Sequence, residues 1–212
     1  MSGYFITFEG GEGSGKTSVI ESLNKYFTEK GFEVVVTREP GGIEIAEQIR
    51  NIILNKDNVQ MDKLTEAYLF AASRRQHLVE RVIPELEKGA IVLCDRFVDS
   101  SIVYQGYARD IGMDKVYDIN KVVIGEFMPD LTLFFDVRPE IGLKRILDNL
   151  RKVNRLDLEE KDFHNKVYEG YQKLVKRFPS RIKVVDAEKN IEEVKQETIK
   201  IVEDFLDDLS KV

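Results

Sequence analysis

The sequence predicts an α/β protein built on a five-stranded parallel sheet flanked by helices. Three observations predict it. Five short apolar runs recur along the chain, at residues 4–9, 33–37, 90–95, 131–136 and 182–186. Longer segments with apolar residues at helical spacing lie between them. The runs are close to continuously hydrophobic, as expected of strands buried on both faces and joined by crossover helices.

The first run, Tyr4-Phe5-Ile6-Thr7-Phe8-Glu9, leads into glycines. Residues 17–30 then place Val19, Leu23, Tyr26 and Phe27 on one helical face, and Gly31 ends the helix. Three consecutive valines, Val34 to Val36, mark the second strand. Helices follow over 43–54 and 63–88, the second interrupted at Pro84 and stopped at Gly89. Ile91-Val92-Leu93-Cys94 carries the third strand to Asp95. Further helices are expected over about 114–127, 139–150 and 161–178. The last, 191–209, carries Ile191, Val194, Ile201, Phe205 and Leu209 on one stripe. There are no internal repeats, low-complexity tracts or linkers, so residues 1–212 read as a single domain.

A hydrophobic content of 42% with 33% charged residues describes a soluble globular chain. No stretch approaches the roughly 20 apolar residues of a membrane span, and Met1-Ser2-Gly3 opens no signal-peptide pattern. No membrane partner is therefore expected. A single cysteine, Cys94, within an apolar run reads as packing and suits a reducing cytoplasm. The net charge of −6 argues against a nucleic-acid polymer as partner. Positive charge for handling phosphates must then come from individually placed arginines.

Gly10-Gly11-Glu12-Gly13-Ser14-Gly15-Lys16-Thr17 matches G-x-x-x-x-G-K-[ST], the phosphate-binding P-loop. Between a buried strand and a helix, its glycines let backbone amides turn towards phosphate oxygens at the positive end of the helix dipole. Lys16 is expected to bridge the β- and γ-phosphates of ATP, and Thr17 to give its hydroxyl to Mg²⁺. The bland alternative, a glycine-rich turn that happens to end in Lys-Thr, lacks a reason for the strand and helix on either side. Asp95, ending another buried strand, is the expected outer-sphere partner of the metal.

A guanine reader Asn-Lys-x-Asp is missing, since Asn120-Lys121-Val122-Val123 has no Asp. Motors and transporter ATPases usually need more chain and further motifs. A kinase for a small phosphorylated acceptor remains. Thr37-Arg38-Glu39-Pro40-Gly41-Gly42 leaves the second strand on the same sheet edge as the P-loop. Asp95-Arg96-Phe97, followed by Ser100-Ser101 and Tyr104-Gln105-Gly106, leaves the third. Phe70 and Arg74 share a helical face between them. Ligands bind outside the carboxyl ends of such strands, so these groups converge on one crevice.

Phe8-Glu9-Gly10 before the P-loop, the Thr37 to Gly42 string, Phe70-Ala71-Ala72 with Arg74 and Gln76-His77, and Asp95-Arg96 with Ser100 and Tyr104-Gln105-Gly106 together resemble the thymidylate kinase family, in order from Tyr4 to about Tyr171. The resemblance implies a homodimer that phosphorylates dTMP from ATP with Mg²⁺, for dTTP synthesis. Phe70 would stack on thymine and Arg74 would hydrogen-bond a base carbonyl, with Ser101 a small polar contact. Tyr104 would crowd a 2′-hydroxyl, and Glu12 would face the 3′-hydroxyl. Arg38 and Arg96 would hold the acceptor phosphate, in keeping with bidentate guanidinium contacts. Pro40, Ser100 and Gln105 complete the implied acceptor set. Arg75 and His77 read as helix surface or packing, and neither His77 nor His164 belongs to a metal or acid–base constellation.

The acceptor in this reading is a phosphate monoester with a second pKa of about 6, already anionic at neutral pH, so no general base is needed. Catalysis reduces to alignment and charge neutralisation by Lys16, Mg²⁺ and arginines. A lid is expected over about 145–160, where Arg145, Arg151, Lys152 and Arg155 add positive charge. Gly13 and Ser14 stand where some members carry a P-loop arginine, which resembles the subgroup that supplies it from the lid. Arg151 and Arg155 are the catalytic candidates there. Three departures from the family pattern are Asn154-Arg155-Leu156-Asp157, shifted by one residue against the usual Asp-Arg-x-Glu string, Ser73 in place of an Asp before Arg74, and Phe97 in place of Tyr or His. The rivals are a nucleoside kinase or another nucleoside monophosphate kinase, and a nucleotide-binding regulatory module with little turnover.

Overall fold

The computed structural model describes residues 3–148, 155–156 and 159–209. Its five parallel strands are β1 (Tyr4–Gly10), β2 (Val34–Arg38), β3 (Ile91–Asp95), β4 (Leu131–Asp136) and β5 (Ile182–Asp186), in the order β2-β3-β1-β4-β5. β1 is central: Phe8 lies opposite Asp95 on one side and Leu133 on the other. The chain passes from β1 to the edge strand β2, returns inward to β3 beside β1, and then crosses to the other side for β4 and β5, so the connections diverge at the carboxyl end of β1. A crevice opens there, next to Gly10 and Arg96.

One face of the sheet presents Ile6, Phe8, Leu93, Leu133 and Phe135 to α1 (Lys16–Glu29) and α9 (Ile191–Leu209). Val19, Leu23 and Phe27 answer from α1, and Val194 and Val202 from α9. The opposite face, with Phe5, Val92, Cys94 and Phe134, packs on residues that include Leu78, Val103, Val167 and Tyr171. That face also holds a polar clamp. Arg181, just before β5, donates two hydrogen bonds to the fully buried Asp99 at 2.6 and 2.8 Å and a third to Thr132 Oγ1 at 2.6 Å. Thr132 Oγ1 also pairs with Thr7 Oγ1 at 2.8 Å.

α2 (Glu44–Leu54) and α3 (Lys63–His77) follow β2. Asp62 caps α3, accepting from the Leu64 and Thr65 amides at 2.9 and 3.1 Å. The region expected to be interrupted at Pro84 changes pitch earlier, in a π-helical turn over Leu78–Val82. Pro84 then takes the second position of α4 (Ile83–Glu87), where its missing N–H is not needed.

Residues 98–108, read from sequence only as site motifs, are helical: α5 (Val98–Ser101) runs into a π-helical turn over Ile102–Ala108. Their β-branched residues and glycine carry little helix propensity, and packing against α6 (Met113–Ile124) and α8 (Lys161–Arg177) sets their shape. α7 (Pro139–Asp148) follows β4, and the end of the helix expected to reach residue 150 lies outside the described residues.

The clamp yields a stability prediction. Arg181→Ala leaves the Asp99 carboxylate buried without its partner, which is expected to cost about 3 kcal/mol. Urea unfolding with an unchanged m-value measures it; a loss below about 1 kcal/mol would show that the clamp does not depend on the guanidinium.

Candidate active site

The P-loop residues occupy the turn between β1 and α1. Gly13 has φ +68°, and a Cβ there would lie 2.1 Å from the Gly142 carbonyl oxygen of α7. Gly142 is equally constrained, since its own Cβ would stand 2.2 Å from Glu12 O. The loop and α7 therefore meet backbone to backbone. Lys16 folds over the loop and donates to Gly11 O at 3.1 Å, Ser14 Oγ at 3.0 Å and Gly10 O at 3.3 Å. Burial, and then the neighbouring Arg96 charge, pull its ammonium pKa down to about 8. A second charge brought to the loop, such as a phosphate, favours the protonated form.

Glu12, Gly13, Ser14, Gly15, Lys16 and Thr17 line a cleft of about 420 Å³ together with Asp95, Arg96 and Arg145. Gly10 and Gly11 sit behind it, their carbonyls turned to Lys16. The far wall is largely apolar: Ile146 comes from α7, Ala187 from the β5–α9 connection, and Ile191 and Val194 from α9, with Lys189 beside them. Sequence reading missed this wall, because ordinary core-type residues far apart in the chain carry no motif.

Asp95 lies where this cleft meets the next, and its Oδ1 atom is buried without a hydrogen-bond partner. That orphaned oxygen, on a cleft that Thr17 also lines, suits a divalent cation. Among the described residues no group of three or more metal-ligating side chains occurs. A Mg²⁺ ion at Thr17 and Asp95 would take phosphate oxygens and water to complete its shell, which is how Mg²⁺ is normally bound beside a nucleotide.

The second cleft, about 130 Å³, gathers nearly the whole expected acceptor set. Glu12, Arg38, Pro40, Phe70, Arg96, Ser100, Ser101, Tyr104 and Gln105 all line it. Arg96 is its pivot. With φ +68° it occupies a conformation that costs a non-glycine residue on the order of 1 kcal/mol, held in part by its amide bond to Phe8 O at 2.9 Å. Its guanidinium donates to Glu12 Oε1 at 2.7 Å and to Gly10 O at 2.9 Å, and lies over the Tyr104 ring at 5.1 Å. Beneath it, Glu9 accepts from the Phe97 amide at 2.7 Å, Ser100 Oγ at 2.5 Å and Tyr171 OH at 2.8 Å. Burial, then the Asp99 charge, lift the Glu9 carboxyl pKa to about 7.

Arg38 reaches the cleft from the end of β2 and pairs with Glu47 at 2.5 Å. Arg50, which carried no sequence signal beyond its charge, lines the same end and donates to Pro40 O at 2.7 Å. Burial and the nearby Arg38 lower its pKa, the mark of cations gathered at one place.

Arg74 departs from expectation. It does not line the cleft and is only 1% exposed. Its Nε donates to Glu39 at 2.8 Å, NH1 to Ser101 Oγ at 3.1 Å and to Asn120, and NH2 to Phe97 O at 2.9 Å. Four of its five N–H donors are thus committed within the protein. Glu39 takes the part left vacant by Ser73, whose buried hydroxyl has no hydrogen-bond partner. His77 is not helix surface: it is fully buried, bonding Glu39 through Nδ1 at 3.0 Å and Thr37 through Nε2 at 2.6 Å. Phe97 fills the core, edge-on to Phe5 with ring centroids 4.9 Å apart. Cys94 is buried, and burial raises its thiol pKa, as suits a packing role.

The two lid candidates fare differently. Arg151 lies outside the described residues. Arg155 is turned to the acceptor side, where its Nε donates to Ile53 O at 2.8 Å and NH2 pairs with the buried Glu66. It lines neither cleft. Arg145 does line the P-loop cleft and donates to Ala187 O at 2.9 Å.

Two clefts that share Glu12, Asp95 and Arg96, one floored by a phosphate-binding loop and the other holding arginines and an aromatic ring, define a P-loop kinase acting on a small acceptor. Within that class the comparisons agree. The thymidylate kinase family model matches residues 8–198. The thymidylate kinase of Oceanobacillus iheyensis is 57% identical over 212 residues, covering 100% of this chain and 94% of that protein. That of Clostridium novyi is 59% identical over 196 residues, covering 92% and 96% respectively. The crystal structure of thymidylate kinase from Ehrlichia chaffeensis superposes with a TM-score of 0.77 at 34% identity, covering 96% of this chain and 99% of that one. The chain belongs to the thymidylate kinase family.

Glu9 supplies a pH test. Its folded-state pKa of about 7 stands above the ordinary value of 4.5, so the folded protein keeps a proton that the unfolded chain releases. Stability falls as pH rises through that window. Glu9→Gln, which imitates the protonated carboxyl, is expected to gain relative to the parent between about pH 5 and pH 8 in urea unfolding. Parallel pH profiles would show that Glu9 is ionised throughout.

Proposed function

We propose that this chain transfers the γ-phosphoryl group of ATP to dTMP, giving dTDP and ADP for dTTP synthesis. The carrying observation is the junction of the two clefts at Asp95 and Arg96, which sets a triphosphate on the P-loop against a phosphate held by arginines.

Lys16 takes the β- and γ-phosphates, and Thr17 and Asp95 hold Mg²⁺. When bound, the ion offsets charge on the phosphate oxygens. Arg96 and Arg38, joined by Arg50, hold the acceptor phosphate. Phe70 stacks on the base, Tyr104 crowds a 2′-hydroxyl and Glu12 faces the 3′-hydroxyl. Ser100, Ser101 and Gln105 give polar contacts, and Arg74 acts chiefly by fixing Ser101, with one N–H left for a base carbonyl. No histidine lines either cleft among the described residues, in keeping with an acceptor that is already an anion.

The reading extends to a single P-loop kinase domain over 1–212 with a lid at about 145–160, in which Arg151 is the remaining catalytic candidate. It includes a cytoplasmic homodimer. Among the described residues no helix is long and apolar enough to cross a membrane. Tyr68 and Val122, exposed on the adjoining α3 and α6, support a second copy as partner.

Phosphate transfer from ATP to dTMP, dUMP, the ribonucleotide analogue of dTMP, AMP, CMP and thymidine tests the assignment. dTMP is expected to be preferred, and preference for AMP, CMP or unphosphorylated thymidine overturns it. Arg96→Ala is expected to lower kcat by about 10³ or more while sparing ATP binding measured by calorimetry. Retained turnover would mean that the acceptor phosphate lies elsewhere. Chelation of Mg²⁺ is expected to stop turnover, and its restoration by added Mg²⁺ to recover it.

A further inference from the structure

The buried carboxylate of Glu66 stands outside every role assigned so far. It lies on α3 at 2% side-chain exposure and gathers three partners from two parts of the chain. Gln105, a cleft residue on the π-helical turn, donates Nε2–H to Glu66 Oε1 at 2.9 Å. Arg109, at the end of that turn, approaches both carboxylate oxygens at 3.4 Å and pairs with Glu159 at 2.5 Å. Arg155 closes the set from the far side, tied as well to the Ile53 carbonyl at the end of α2. The next residue, Leu156, is 8% exposed and lines the acceptor cleft together with Leu54 and Phe70.

Two consequences follow from this arrangement. An amide has a donor end and an acceptor end, and a carboxylate can only accept. Glu66 therefore fixes which end of Gln105 it holds, leaving the carbonyl oxygen and the second N–H for other partners. A guanidinium held by both a buried carboxylate and a backbone carbonyl gives up a buried ion pair and a hydrogen bond if it swings. Arg155 is therefore an anchor that sets Leu156 as a wall of the cleft.

We propose that Glu66 and Arg155 are positioning residues for the acceptor base: Glu66 orients the Gln105 amide, and through Arg155 it seats Leu156 against the base. The inference rests on the dTMP reading. It moves Arg155 from phosphoryl transfer to acceptor recognition.

Steady-state kinetics with ATP and dTMP varied in turn provide the test, on Glu66→Gln, Gln105→Ala and the double variant. Glu66→Gln keeps the shape and removes the charge. It is expected to raise KM for dTMP about tenfold, the scale of one lost hydrogen bond, with KM for ATP unchanged. Because Glu66 acts through Gln105, the double variant is expected to fall well short of the product of the single effects. Multiplying effects, or a rise confined to KM for ATP, overturns the proposal. Arg155→Gln gives a second, independent arm if Glu66→Gln does not fold. Its cost is expected in KM for dTMP, with kcat at saturating dTMP changed by less than about threefold and partial rescue in Arg155→Lys. A large fall in kcat at unchanged KM for dTMP returns Arg155 to phosphoryl transfer and overturns the inference. Parent protein that prefers another acceptor instead removes the dTMP reading, which the acceptor panel detects separately.

Discussion

The register of β1 against β3 is the constraint on which the rest of the site depends. Phe8 opposite Asp95 brings the P-loop and Arg96 out of the sheet side by side. Arg96 then bends into a left-handed conformation and spans the gap, bonding Gly10 O and Glu12. A phosphate donor and a phosphate acceptor repel one another strongly. A cation fixed between their sites, on backbone that cannot relax without breaking the sheet edge, offsets that repulsion before either substrate arrives. The Glu9 carboxyl below makes the arrangement stiff, since it holds the Phe97 amide, Ser100 and Tyr171 at once.

Much of this was legible in the residues. All five strands were readable from apolar runs: β1, β3 and β4 are buried on nearly every residue and need little context, and the half-exposed edge strands β2 and β5 still carry runs of β-branched residues. The convergence of the P-loop, Arg38, Asp95 and Arg96 was readable because they sit at strand ends, where chain direction fixes the edge on which a side chain emerges. The short helical segment after Arg96 was not, since Val98, Ile102, Val103 and Gly106 disfavour helix and packing alone imposes it. Arg50, Leu54 and Leu156 were missed for another reason: an arginine or leucine at an ordinary helical or loop position looks the same whether it faces solvent, core or cleft.

The buried polar chain behind the cleft was the least legible part. Thr37, His77, Glu39 and Arg74 form one hydrogen-bonded line from the end of β2 to Ser101 and Asn120. In sequence, His77 read as helix surface or packing and Arg74 as a direct contact to the base. Both assignments treated each charge singly. In the interior a charged group is kept only where partners satisfy it, so the position of one decides the position of the next. The line fixes the loop bearing Arg38 and Pro40 relative to the segment bearing Ser101, and so the phosphate end of the cleft relative to its base end.

The close approach of Gly13 and Gly142 has a consequence for how the protein can be altered. With no side chain between the loop and α7, there is no soft layer to absorb a shift. Floor and wall of the P-loop cleft behave as one solid piece. A ligand too wide for the slot between Ile146 and Ile191 cannot be admitted by sliding α7 outward at this point, because the loop would be dragged with it. Widening that slot for unnatural donors is therefore a matter of trimming its apolar walls. The two glycines are the positions that redesign should leave alone.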